Sequence, residues 1–241
     1  MSDAPQFPPL FEGLALTGSA DPFAKAKTQA IMGCDAGLVV YNLAADQLRA
    51  AIVFAPEVPL TEALPVLISC AIGFQNALGA LAPPEVAVHL DWPSGILVNG
   101  ARCGRMRVAA STQEASEVPD WLVVGLELPL IPMDAETPGA TPDQTALYEE
   151  GCVDVTPDTL LGAWVRHTLV WVNRMEDEGL KPLNTEWRGL AHNLGEEVEW
   201  DLGDTEEVGT FVGTDEHFGA LLRSGEDTRL LPLSRLLEGD S

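Results

Sequence analysis

The run Val88-His-Leu-Asp-Trp-Pro-Ser-Gly-Ile-Leu-Val-Asn-Gly-Ala-Arg-Cys-Gly-Arg-Met-Arg-Val108 leaves the chain little choice of local structure. Asn99-Gly100 stands between two apolar runs, and both residues tolerate the positive φ of a type I′ turn, so a β-hairpin is predicted there. A strand leads into Trp92-Pro93, a turn follows, and a short strand through Ile96-Leu97-Val98 is answered by a return strand.

The flanking pattern alternates helices and strands. Asp21 is a plausible cap for a helix through Met32, with Pro22 at the first helical position and Gly33 at the end. Strands are expected at Gly37–Tyr41 and Leu48–Phe54. A long apolar helix is expected from Thr61 to Leu78, with Pro65 tolerated near its first turn. Further strands fit Val86–Leu90, Met106–Ala110 and Trp121–Leu128. Residues 1–14 are Pro-rich and read as an irregular arm, and Met133–Asp154 reads as a loop or lid. Leu160, Leu161, Trp164, Val165, Leu169, Val172 and Met175 mark one face of a helix that starts after Thr156 and stops at Gly179. A short helix is expected over Asn184–His192. Beyond Asn193, short strands at regular spacing with Gly/Asp turns (Glu197–Trp200, Glu207–Val212, Phe218–Arg223, Thr228–Leu233) predict a small barrel. Two domains follow, 1–193 and 194–241.

Charge narrows the functional classes. With 37 acidic against 13 basic residues, the net charge is −24. Such a surface repels phosphate backbones and anionic lipids, so neither nucleic acid nor a membrane is an expected partner. The surplus serves solubility, or steers the chain toward a basic partner. No uninterrupted apolar run reaches the roughly 18 residues of a membrane span, and the first residues lack a secretory pattern, so a cytoplasmic protein is expected. Cys34, Cys70, Cys103 and Cys152 are scattered, as are His89, His167, His192 and His217, and neither set has metal-ligand spacing.

The Trp-Pro hairpin resembles the central signature of biotin and lipoate protein ligases, in which Lys-Trp-Pro-Asn-Asp precedes a Lys-Leu-Ala-Gly-Ile-Leu strand. Glu186-Trp-Arg188 with Leu194-Gly195 is similar to that family's inter-domain segment. Gly213-Thr-Asp-Glu-His-Phe-Gly-Ala-Leu-Leu-Arg223 resembles its Gly-Ile-Asp-x-x-Gly-x-Leu-Leu turn, and Trp121-Leu-Val-Val-Gly-Leu-Glu127 its Val-Ile-Gly-Ile-Gly-Ile-Asn strand. The resemblance implies an α+β fold: the mixed sheet with flanking helices of class II aminoacyl-tRNA synthetases and biotin protein ligases, plus a C-terminal SH3-like β-barrel. It implies a reaction in which an acid is joined to AMP and passed to a carrier-domain lysine, with ATP and biotin or lipoate bound only if that activity is kept. A carrier-domain protein and a homodimer are the partners it implies, without the DNA-binding helix-turn-helix that precedes some catalytic domains.

Transferred through the motifs, the ligand contacts fall on Ser19, Trp92, Ser94, Arg102, Gly104 and Gly125. Arg102, at the position of the family's ligand-contacting lysine, is the one candidate catalytic residue; a solvated hairpin arginine is the other reading. Ser19-Ala-Asp21 stands where the family has an acid-contacting Ser-Thr-Asn, and capping of the following helix explains Asp21 equally. The departures are chemical. Only Asn42-Leu-Ala-Ala-Asp-Gln47 lies where the family has a Gly/Arg-rich phosphate loop, Asp91 reverses the charge of the lysine before Trp-Pro, and Ser94-Gly95 replaces Asn-Asp. Glu127 replaces a small residue and needs a partner, Arg102 or Arg105. The expectation is a divergent ligase-like protein that keeps an acid pocket lined by Trp92, Ile96, Arg102 and Leu122–Gly125 but has lost the adenylate-forming loop. An active ligase, an interaction module, and an acyltransferase using Cys103 with a preactivated donor are the alternatives.

Overall fold

The computed structural model describes residues 4–132, 143–202 and 205–239. A seven-stranded mixed sheet is built from β1 (Glu12–Ala15), β2 (Leu38–Leu43), β3 (Gln47–Phe54), β4 (Val88–Asp91), β5 (Gly95–Val98), β6 (Ala101–Ala110) and β7 (Leu122–Pro129), in the order β1-β2-β3-β7-β6-β5-β4. Every neighbouring pair is antiparallel except β1–β2, which is parallel. Asn99 and Gly100 take φ of 51° and 91°, as the hairpin requires.

The two faces of the sheet are covered differently. On β7, Leu122, Val124, Leu126 and Leu128 face the main core, whereas Val123 faces the smaller cluster under helix α1 (Pro22–Ile31). Asp21 caps α1 through Oδ1, which accepts from Phe23 N at 3.0 Å. The main core is roofed by α2 (Leu60–Ala63), α3 (Val66–Leu81), α4 (Pro157–Glu178) and α5 (Leu180–Leu190). Together α2 and α3, Leu60–Leu81, have the length and mean hydropathy (1.6) of a membrane span, but 72% of that window is buried inside the protein. They form a core helix pair.

Four expectations change. Residues Glu12–Ala15 are a strand paired with β2, not part of an arm. The apolar helix is broken at Leu64-Pro65, because proline has no N–H to donate back along the helix, and it continues past Gly79 to Leu81. The last helix starts at Leu180 rather than Asn184. Of the expected lid, residues 133–142 lie outside the described residues. Its remainder is packed: Ala146, Leu147 and Cys152 are buried, and Thr145 N donates to Arg102 O at 2.9 Å.

A second, four-stranded antiparallel sheet comprises β8 (Glu197–Asp201), β9 (Glu206–Thr214), β10 (Ala220–Ser224) and β11 (Asp227–Leu231), followed by a 3-10 turn at Leu233–Leu236. It fits an SH3-like barrel. Its core residues Trp200, Phe211 and Phe218 run without a break into the first core. Trp92 is the join: its ring centroid lies 4.6 Å from that of Trp200, and its indole Nε1 donates to Phe218 O at 3.0 Å.

Candidate active-site cleft

The hairpin and the barrel enclose a cleft of about 610 Å³. Its hairpin wall includes Ser94, Arg102, Gly104 and Arg105, Glu127 of β7 joins it, and Glu199–Asp201 of the barrel face them. A β-bulge between β5 and β6 sets the orientation: Ile96 pairs with Gly104 and Leu97 with Arg102, so Cys103 is the extra residue. Cys103 is buried, while Arg102 beside it is exposed on the cleft side. Gly104 is required because a Cβ there would come 2.5 Å from Glu127 O on the neighbouring strand.

Three of the residues transferred by resemblance, Ser94, Arg102 and Gly104, therefore line the cleft. The other three do not. Trp92 is fully buried at the junction of the two sheets, and Ile96 is fully buried with it. Gly125 lies under Phe23, whose Cδ2 would be 2.6 Å from an added Cβ. Ser19 is exposed on the turn before α1, where Asn42 Nδ2 donates to the carbonyls of Gly18 and Ala20. Of the wall expected for an acid pocket, Trp92, Ile96, Leu122, Val123 and Val124 are fully buried.

Charges in and beside the cleft are paired in a definite order. Arg102 donates from Nη2 to Asp91 Oδ2 at 2.9 Å, and its side chain is still 59% exposed, which leaves part of the fork free to meet a ligand. Glu127 receives Arg105 Nε at 2.7 Å on one oxygen and Arg107 Nη1 at 2.8 Å on the other. Arg107, further along the same strand, is paired with three carboxylates. Its guanidinium lies 4.2 Å from the Phe23 ring centroid and also reaches Asp21 (3.2 Å) and Glu238 (2.7 Å from both Nε and Nη2). Hydrogen bonding to Glu238 leads in holding Arg107 charged, beyond its already high ordinary range.

Burial pushes the Cys103 thiol up to about 12, with Glu150 and Cys152 adding to the effect. A thiol so held forms almost no thiolate at neutral pH, so the arrangement does not suit Cys103 as an acyl-transfer nucleophile.

Asp91 is buried, with Oδ1 unpartnered. Burial raises its pKa above the ordinary carboxylate range, against the pull of Arg102 and His192. A carboxyl raised in the folded state contributes stability that is complete below the unfolded value and is lost as pH rises through the folded value. Asp91→Asn carries no charge at any pH. Its melting temperature relative to the native chain is therefore expected to rise as pH climbs above the ordinary Asp value of about 4. Thermal unfolding as a function of pH checks this, and a difference that falls with pH contradicts it.

A larger groove of about 1030 Å³ runs along the outer edge of β1. It has Glu12, Asp35 and Glu176 in its lining and, among the described residues, no lysine or arginine to meet an acid.

Comparison with known proteins agrees with this architecture. The biotin/lipoate A/B protein ligase family matches residues 7–189, and a domain of unknown function matches residues 194–239. A biotin--[acetyl-CoA-carboxylase] ligase of Paracoccus denitrificans is 25% identical over 170 residues, 70% of each chain. Among solved structures, a biotin protein ligase-like protein of unknown function from Silicibacter sp. TM1040 superposes with a TM-score of 0.90 at 54% identity, covering 98% of this chain and 100% of the other. The biotin protein ligase of Aquifex aeolicus shares the fold at a TM-score of 0.73 and 18% identity, over 92% and 96% of the two chains. With its matched segment covering most of the sequence, this chain belongs to the biotin/lipoate A/B protein ligase family.

Proposed function

We propose that this chain is a family member that binds a small carboxylate-bearing ligand in the Arg102–Arg105 cleft and does not form acyl-adenylates. The observation that carries this reading is the β2–β3 connection. Ala44, Ala45 and Asp46 alone join the two strands, and Ala44 N donates to Gln47 O at 3.0 Å. Making a mixed anhydride with AMP requires N–H groups and cations arranged around phosphates, under a loop that excludes water. This turn supplies no glycine and no cation, and Asp46 adds a negative charge. These residues do not fit the phosphates of ATP.

The cleft suits a carboxylate better. Arg102 and Arg105 each leave 59% of the side chain exposed, and planar guanidinium forks match carboxylates. The acidic residues Glu199 and Asp201 opposite them disfavour a polyanion while tolerating a single charge. A carrier-domain protein is the macromolecular partner this reading retains.

An active ligase is the second reading, favoured by the match to the Paracoccus biotin ligase. Titration calorimetry with biotin, lipoate, octanoate and Mg·ATP separates the two. The expected result is heat from one of the acids, lost in Arg102→Met, and none from ATP. Micromolar ATP binding would move the assignment to the ligase.

A further inference from the structure

We propose that the outer edge of β1 is a docking site for an extended basic segment of a partner protein, which adds to the sheet as a further strand. β1 ends the sheet order and pairs with β2 alone. Alternate residues make that pairing: Glu12 N donates to Gly37 O at 3.1 Å, and Leu16 N donates to Tyr41 O at 2.7 Å. In a parallel ladder of this register, Glu12, Leu14 and Leu16 turn their backbone groups toward β2, so Gly13 and Ala15 turn theirs outward. Both residues are exposed, and among the described residues neither has another backbone partner. An edge with unspent N–H and C=O groups is a template for strand addition.

The groove of about 1030 Å³ beside this edge defines the chemistry of the added strand. Phe11, Leu14 and Phe54, with Leu169 and Val172 of α4, give it half-buried apolar walls. Leu10, in the same lining, is 92% exposed. Glu12, Asp35 and Glu176 are exposed too, and among the described residues none of them has an ion pair. An added strand turns successive side chains to opposite faces of the sheet, and a carboxylate waits on each face. Glu12 shares the α1 face with Leu14, whereas Glu176 is carried by α4, which covers the main core. A strand that mixes aliphatic side chains with lysine or arginine meets both the apolar walls and the charge.

The same charges argue against a second copy of this chain as the occupant. Pairing two β1 edges would join two acidic grooves and two bodies that each carry a net charge of −24. The groove shares no lining residue with the Arg102–Arg105 cleft, so this inference stands apart from the cleft reading.

The test uses the full ¹⁵N-labelled chain with two blocked peptides, acetyl-Lys-Val-Arg-Val-Lys-Val-amide and its counterpart with glutamate in place of each lysine and arginine. The basic peptide should shift the Gly13 and Ala15 amide resonances and slow their exchange with solvent, and its affinity should fall as salt is raised. The acidic peptide should do neither at the same concentration. Ala15→Pro deletes an outward N–H at an edge position that tolerates proline, leaving the β2 ladder intact, and should weaken the basic peptide at least fivefold. Glu12→Lys combined with Glu176→Lys should weaken it at least tenfold. Thermal melts show that each variant is folded. No response of Gly13 and Ala15 to millimolar basic peptide, equal binding of the two peptides, or unchanged affinity in either folded variant would each overturn the proposal. Shifts of these amides with protein concentration alone would give the edge to a second copy and overturn it equally.

Discussion

Trp92→Ala is expected to lower stability by about 3–5 kcal/mol, the usual cost of emptying a large aromatic site in a core. For a chain of this length that is a fall in melting temperature of about 6–20 °C. The size of the effect follows from the position of the ring. Trp92 is fully buried, packs against Trp200 of the barrel, and satisfies Phe218 O through its indole N–H. Removing it opens a void where the two sheets share a core, and leaves a buried carbonyl without its donor. Trp92→Phe keeps an aromatic ring but loses the donor and part of the volume, and should cost less than alanine, about 1–3 kcal/mol. Chemical denaturation of the three chains measures both. A loss below about 1 kcal/mol for alanine, the range of ordinary surface substitutions and small cavities, would mean that the junction between the sheets is not the packed core described here.

The next largest effect is expected from Gly73→Val. At the contact of α3 and α4, a Cβ on Gly73 would come within 2.8 Å of Thr168 N and Oγ1 and 3.0 Å of Thr168 Cα. Backbone atoms of a helix cannot turn aside as a flexible side chain can, so the two helices must separate. Overpacking of this kind costs about 1–3 kcal/mol and sometimes more. Gly79→Val, on the same helix but with only the Gln75 amide near, should cost less than half as much. Similar losses at both positions in a denaturant series would show that helix propensity, and not the α3–α4 contact, sets the cost.

Local chemistry explains which parts of this fold were legible in the sequence. Asn99-Gly100 and Gly179 hold positive φ, and Asp21-Pro22 starts a helix, because each residue acts on its own neighbours. Apolar runs, the apolar face from Leu160 to Met175 and the regular Gly/Asp turns located the strands, the long helix and the barrel in order. β1 was missed because four residues at a sheet edge, mostly exposed, show no alternation to read. Pro65 was read as tolerated within a first turn, whereas it separates two helices.

The site was less legible for a physical reason. Its contents depend on pairs far apart in the chain: Trp92 with Phe218, Gly125 with Phe23, and Arg107 with Glu238. A motif match assigns Trp92 and Gly125 to a ligand wall from position alone; in the fold Trp92 packs against Trp200 and Gly125 against Phe23. The partners of Arg107 lie 20, 86 and 131 residues away, beyond any local pattern. The partner of Glu127 was within reach, since Arg105 lies directly across the ladder from it.

The short Ala44–Asp46 turn makes loss of adenylation the central claim, and acid-dependent exchange of pyrophosphate into ATP tests it most directly. Measured with Mg²⁺ over biotin, lipoate, octanoate and related acids on folded protein, the account predicts no exchange above an acid-free control for any of them. Exchange stimulated by one acid, and lost with Arg102→Met, would contradict the account and return this chain to the adenylate-forming ligases.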